Sequence, residues 1–224
     1  MTVLIVAAHP DDEALGAGAT IARHTQSGEK VSVLFLADGV SSRNPEGDHE
    51  EELNRRRSAA IVAAGILGAD RPSFLDLPDN RLDSVPMLTL ARAVEEEVER
   101  IHPSTVYTHH ASDLNVDHRC THEAVMTACR PSTTSPVDTV LCFESPSSTE
   151  WRSAAAAPAF NPTWFVDVRD TIETKLAALA AYEEELRPWP HPRSLEAIEH
   201  LARWRGATIG STAAEAFVLA RHRQ

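Results

Sequence analysis

Residues 3–8, Val-Leu-Ile-Val-Ala-Ala, form an unbroken apolar run rich in β-branched side chains, and the run stops at His9-Pro10-Asp11-Asp12-Glu13. A strand with one wet face alternates apolar and polar residues, whereas one covered on both faces does not. A helical pattern follows at once, over residues 13–25, and Gly28-Glu29-Lys30 turns the chain into a second apolar run at 31–37. Buried strands separated by helices require a parallel sheet with helices on both faces.

The rest of the chain repeats this alternation. Strands are predicted over residues 73–77, 105–108, 139–143 and 164–168, and helices over 51–67, 87–101 and 118–129. Gly68 supplies the stop for the second helix, Pro78-Asp79-Asn80 is turn chemistry, and residues 41–50 read as a polar loop. From Asp170 onward the pattern is helical, broken at residues 188–192 and 206–210. The expectation is a single α/β domain over residues 1–224, Rossmann-like and mostly parallel, with residues 170–224 a mainly helical extension.

A chain of 224 residues with 42% hydrophobic and 24% charged residues can bury a core of this kind. Its net charge of −12 argues against a nucleic-acid partner, which needs clustered Lys and Arg, and against an anionic membrane surface. No stretch approaches the roughly 18 apolar residues of a membrane span, and the first residues lack the basic start of a signal peptide. Cys120, Cys129 and Cys142 form no CxxC and no disulfide framework. A cytoplasmic location is expected.

Two polar clusters carry the chemistry. The first is His9-Pro10-Asp11-Asp12-Glu13, at the end of the first strand, where open α/β sheets collect ligands. A helix cap explains one Asp there but not the His and the second carboxylate. The cluster therefore points to a metal or acid–base site. The second follows the strand at 105–108: His109-His110, then Asp113-Leu114-Asn115-Val116-Asp117-His118, then His122. His118 and His122 stand four apart and share a helix face, and imidazole with carboxylate is a suitable zinc donor set. Each histidine taken singly also reads as a hydrogen-bonded surface or helix-start residue.

The AHPDDE sequence at residues 8–13, paired with the later Asn115-x-Asp117-His118, resembles the LmbE/PIG-L family of zinc-dependent N-deacetylases. The resemblance also takes in the Arg-bearing helix before Leu67-Gly68 and the Leu77-Pro78-Asp79 turn. It implies zinc as cofactor, held by His9, Asp12 and His118. It further implies Asp11 as the carboxylate that takes a proton from water, Asp117 as a residue tuning the site, and Arg56 as a substrate contact. The implied reaction is hydrolysis of the N-acetyl group of an N-acetylated sugar or sugar conjugate, a small-molecule partner, and relatives of this kind are often homo-oligomers. Many members carry His where this chain has Asn115, and an amide can donate a hydrogen bond but cannot exchange a proton. Asn115 is thus expected as a neutral oxyanion partner, unless His109, His110 or His122 substitutes.

Sugar contacts are expected from Arg43, Asn44, Asp79 or Asn80, and Glu150-Trp151, while Ser194 reads as a helix N-cap. Rival readings are a zinc amidohydrolase for another acylated amine, a nucleotide-binding α/β protein, and a metal-binding protein without turnover. The nucleotide reading lacks a GxGxxG turn after the first strand.

Overall fold

The computed structural model describes residues 1–42, 49–153, 155 and 157–224. One seven-stranded sheet organises them, in the order β3-β2-β1-β4-β5-β7-β6. The strands are β1 (Thr2–Ala7), β2 (Lys30–Ala37), β3 (Ser73–Leu77), β4 (Thr105–His109), β5 (Thr139–Phe143), β6 (Trp164–Asp167) and β7 (Ala214–His222). Pairing is parallel from β3 through β5, while β7 runs antiparallel to both β5 and β6. The helices are α1 (Asp12–Gln26), α2 (Glu50–Leu67), α3 (Met87–Ile101), α4 (Val116–Ala128), α5 (Ile172–Ala180) and α6 (Leu195–Thr208).

The uninterrupted apolar strands are sandwiched, as their sequences require. Val3, Ile5, Ala7, Val33 and Phe35 face α1, α2 and α5 in one core, with Ala17, Ala60, Ala63 and Leu179 across from them. Leu4, Val6, Leu36 and Val106 face the other way, against Leu90, Val94 and Val98 of α3 and Val125 of α4. Helix α1 packs close to the sheet because Gly16 has no side chain: a Cβ there would lie 2.5 Å from Cγ of Phe143 on β5. Gly68 ends α2 in the left-handed conformation (φ 76°), where only glycine is unstrained. Among the described residues, no helix is long and apolar enough to cross a membrane.

The expectation of a helical final third needs correction. Helices α5 and α6 are there, but Ala214–His222 is a strand that fills the gap between β5 and β6. Ala-Glu-Ala-Phe-Val-Leu-Ala has helical propensity, yet ladders on both sides outweigh a preference worth tenths of a kcal/mol per residue. The buried Glu215 adds a further tie. It accepts from the N–H groups of Ala19 (3.2 Å) and Thr20 (2.7 Å) on α1 and from Lys175 Nζ (2.6 Å) on α5.

The order β3-β2-β1-β4-β5 reverses between β1 and β4. Such a switch point splays the following connections apart and opens a crevice at the carboxyl ends of the strands. Both polar clusters emerge there, one after β1 and the other after β4.

Candidate metal centre

His9, Asp12 and His118 meet in that crevice, each offering a ligand atom within 4.8 Å of the others, and all three are buried. His9 Nδ1 lies 3.1 Å and His118 Nε2 3.2 Å from Asp12 Oδ2. Ligands of a tetrahedral zinc at about 2.0–2.2 Å stand about 3.4 Å apart, so the spacing matches. Asp12 Oδ1 and His118 Nε2 are fully buried and have no hydrogen-bond partner among the described residues. Buried polar atoms are almost always satisfied, and a cation bound by this cluster accounts for both. The donor set of two imidazoles and a carboxylate suits zinc and leaves a fourth position open.

Carboxylates also hold the rings in place. His9 Nε2 lies 3.0 Å from Asp117 Oδ2 and 3.1 Å from Asp79 Oδ1. Donation from Nε2 leaves the Nδ1 lone pair for a metal, the usual way an outer carboxylate fixes a ligand's tautomer. Asp117 is anchored in turn by the N–H groups of Asn80 (2.7 Å) and Leu82 (2.9 Å). Its oxygens are therefore occupied, and His9, Asp79 and Asp117, although clustered, read as an orienting group rather than a second metal site. On the far side His118 Nδ1 stands 3.1 Å from Asp113 Oδ1, at an angle short of a hydrogen bond. Asp113 accepts from Ser148, Thr149 Oγ1 (2.6 Å) and the N–H of Asn115 (2.9 Å).

The excess of negative charge shows in the ionisation of the rings. Burial works against protonated imidazole. At His9 the hydrogen bonds to Asp117, Asp12 and Asp79 overcome it and raise the pKa well above the usual value. At His118, Asp12 and Asp113 overcome it and raise the pKa to about 9. Asp12 is buried too, yet the neighbouring histidines hold it well below the usual carboxylate range. The cluster thus attracts positive charge, whether protons or a metal.

His109, His110 and His122 stand outside the donor set. His109 Nε2 accepts from the N–H of Ala8 at 2.9 Å, so its lone pair is used, and burial drives its pKa well below normal. His122 Nδ1 donates to the His109 carbonyl (2.9 Å). His110 accepts from the N–H of Ser112 (3.3 Å) and packs edge-on against Phe160. The shared helix face of His118 and His122 therefore does not make both of them ligands.

Asp11 sits at the start of α1 with φ 129° and makes no capping bond. A non-glycine residue there is strained, and such strain gathers at functional positions. Its N–H donates to Glu13 Oε2 (3.0 Å), and Glu13 Oε1 receives Tyr182 Oη (2.6 Å). Its carboxylate is flanked by Arg193 Nη1, 3.0 Å from Oδ2, and Arg56 Nη2, 3.4 Å from Oδ1. Burial raises the pKa of Asp11 while Arg193 and Arg56 pull it down, and burial prevails. Oδ1 accepts no hydrogen bond among the described residues. Arg56 also pairs with Glu185, and its buried Nε has no hydrogen-bond partner among the described residues.

Asn115 occupies the N-cap of α4. Its Oδ1 accepts from the N–H of Asp117 (2.8 Å), and its Nδ2 donates to Asn80 Oδ1 (3.1 Å). Ser194 caps α6 as expected, accepting from the N–H of Ala197 (3.0 Å). Glu150 receives the N–H of Ser147 (2.6 Å), and Trp151, 52% exposed, meets His191 edge-on. Arg43 and Asn44 lie outside the described residues. Sequence reasoning missed Tyr182, Glu185 and Arg193. They arrive at Asp11 from more than 160 residues away in sequence, and only the Pro-flanked Arg193 stands in a recognisable break.

Known proteins similar to this chain match most of its length. The family described as PIG-L, GlcNAc-PI de-N-acetylase, matches residues 4–129, which run from β1 through α4. An uncharacterised deacetylase of Escherichia coli K12, YaiS, is 32% identical over 188 residues, covering 81% of this chain and 90% of that protein. The diacetylchitobiose deacetylase of Thermococcus kodakarensis is 28% identical over 201 residues, covering 82% and 69%. Among solved structures, the conserved protein TT1542 of Thermus thermophilus superposes with a TM-score of 0.77 at 25% identity, covering 99% of this chain and 95% of that one. With the family match spanning both polar clusters, the chain belongs to the PIG-L/LmbE family and is an N-deacetylase, a hydrolase of that family.

Proposed function

We propose that the protein hydrolyses the N-acetyl amide of an N-acetylated sugar or sugar conjugate, releasing acetate, with zinc held by His9, Asp12 and His118. The observation that carries this reading is the buried His9–Asp12–His118 cluster, whose Asp12 Oδ1 and His118 Nε2 have no hydrogen-bond partner among the described residues, beside the strained Asp11, whose Oδ1 accepts no hydrogen bond among them. The sugar is suggested by the substrate named for the Thermococcus relative.

An amide is a weak electrophile with a poor leaving group. A zinc ion held by His9, Asp12 and His118 would supply Lewis acidity toward the acetyl carbonyl and would lower the pKa of water to about 7. Asp11 accepts the proton of the attacking water on Oδ1 and returns it to the amine nitrogen as the C–N bond breaks. Asp117 and Asp79 hold the His9 ring, and Asp113 sets a negative charge 3.1 Å from His118 Nδ1. Arg56, whose guanidinium has five N–H donors in all, is assigned to a substrate oxygen.

Asn115 we assign to positioning rather than to the oxyanion. Capping Asp117 and bonding Asn80 already engage both ends of its amide, and the cap fixes the first turn that carries Asp117 and His118. The test is acetate release by zinc-loaded protein from a panel of N-acetylated sugars, sugar conjugates and other N-acylated amines. Turnover confined to the sugars supports the reading. Turnover confined to non-sugar amines, or none across the panel, overturns it.

A further inference from the structure

The segment of residues 182–193, between α5 and α6, lies beyond the reach of the family match, which ends at residue 129. Three of its side chains nevertheless close on Asp11. Tyr182 Oη bonds Glu13 (2.6 Å), which receives the Asp11 N–H (3.0 Å), so the strained backbone of Asp11 is tied through Glu13 to the end of α5. Glu185 pairs with Arg56 and lies 3.5 Å from Arg193 Nη1. Arg193 reaches Asp11 Oδ2 at 3.0 Å. Asp11, Arg56, Glu185 and Arg193 thus form a closed ring of alternating charge, two carboxylates and two guanidiniums. A buried charge is tolerated when it is paired in this way.

Arg193 is fixed from its other side as well. Its Nε donates to Ser147 Oγ at 2.8 Å, and Ser147 has φ 68° in a turn whose N–H is held by Glu150. The guanidinium is therefore braced between a turn after β5 and the carboxylate after β1, and only 22% of its side chain is exposed. Without Arg193, Asp11 Oδ2 loses its only hydrogen bond from a side chain among the described residues, and only the longer 3.4 Å pair of Oδ1 with Arg56 is left to oppose rotation about χ1 and χ2.

We propose that Arg193 is a positioning residue for Asp11, holding the carboxylate through Oδ2 so that Oδ1, which accepts no hydrogen bond among the described residues, takes the water proton. The inference rests on Asp11 being the base, and it makes residues 182–193 part of the deacetylase site. A misplacement of about 1 Å in a reacting group costs up to about 100-fold in rate.

The test compares Arg193→Ala, Arg193→Lys, Asp11→Asn and the Arg193→Ala/Asp11→Asn pair, all zinc-loaded. N-acetylglucosamine and diacetylchitobiose serve as probes, with bound zinc measured on each sample. Arg193→Ala should lower kcat by about 10- to 100-fold, leave KM and zinc content within about 2-fold, and regain rate on addition of ethylguanidine. Arg193→Lys should fall between Arg193→Ala and the wild type. In the Asp11→Asn background the Arg193→Ala change should cost less than about 2-fold, because the two residues act as one unit. A crystal structure of Arg193→Ala should show the Asp11 carboxylate in more than one rotamer.

An equal loss in both backgrounds, a rise in KM with kcat unchanged, or an Asp11 rotamer unmoved in the Arg193→Ala crystal overturns the inference alone. Near-full activity of Asp11→Asn overturns the base assignment itself, and the inference with it.

Discussion

Replacing Lys175 with Met removes one charge from the buried pair that ties β7 to α1 and α5. Lys175 Nζ donates to Glu215 Oε1 (2.6 Å) and to the Leu15 carbonyl (2.7 Å), and the two side chains are 5% and 4% exposed. Met is close to Lys in length and volume, so packing changes little and the loss is that of the counter-charge. Stripping one partner from a buried pair costs about 3–5 kcal/mol. Glu215 keeps the N–H groups of Ala19 and Thr20, which places the expected loss near the lower end, about 3 kcal/mol. In a chain of this size 1 kcal/mol moves Tm by about 2–4 °C, so the fall should be about 6–12 °C. Urea unfolding followed by far-UV circular dichroism measures the difference. The Lys175→Met/Glu215→Gln variant, with no charge left to bury, should recover at least half of it. A single-variant loss under about 1 kcal/mol, or a double variant no better than the single, would refute the argument that counter-charge is what matters here.

Three further outcomes are expected. Gly16→Ala gains about 1 kcal/mol of helix propensity but drives a methyl into Phe143. Overpacking should win by about 1–2 kcal/mol, and because Asp12 lies one turn earlier on α1, zinc affinity should fall too. Urea midpoints and a chelator competition check both. Asn115→Ala should cost about 0.5–2 kcal/mol as a lost cap, whereas Asn115→Asp keeps the cap, as thermal unfolding would report. Zinc at 100 times its Kd should stabilise the protein by about 2.7 kcal/mol, and His118→Ala should abolish that increment in a thermal melt with and without chelator.

Much of the fold was legible because burial on both faces leaves a plain mark: Val3 to Ala8 and the run from Val31 to Ala37 have no polar alternation. The two polar clusters were likewise legible, since polar residues at two strand ends have no reason to be there for packing, whereas the choice of His9, Asp12 and His118 from among them came from the resemblance to the family. The strand β7 was not, because Ala, Glu and Leu favour a helix locally and only the open edges of β5 and β6 decide otherwise. Arg193 was hidden for a related reason. Its partner, Asp11, is 182 residues away, and no local pattern distinguishes a guanidinium aimed at a carboxylate from a solvated one. At Asn115 the place in the motif suggested chemistry, and the structure adds a role that the motif did not point to, the cap of α4.

The central claim is that one metal bound by His9, Asp12 and His118 switches on amide hydrolysis with Asp11 as base. Its most direct test is a zinc titration of metal-free protein, reading bound zinc and acetate release on the same samples, for the wild type and for Asp11→Asn. Both readouts should rise together in the wild type and level off at about one zinc per chain, while Asp11→Asn should bind the same zinc and release little acetate. Acetate release that precedes zinc binding, or that continues undiminished in Asp11→Asn, would contradict the account.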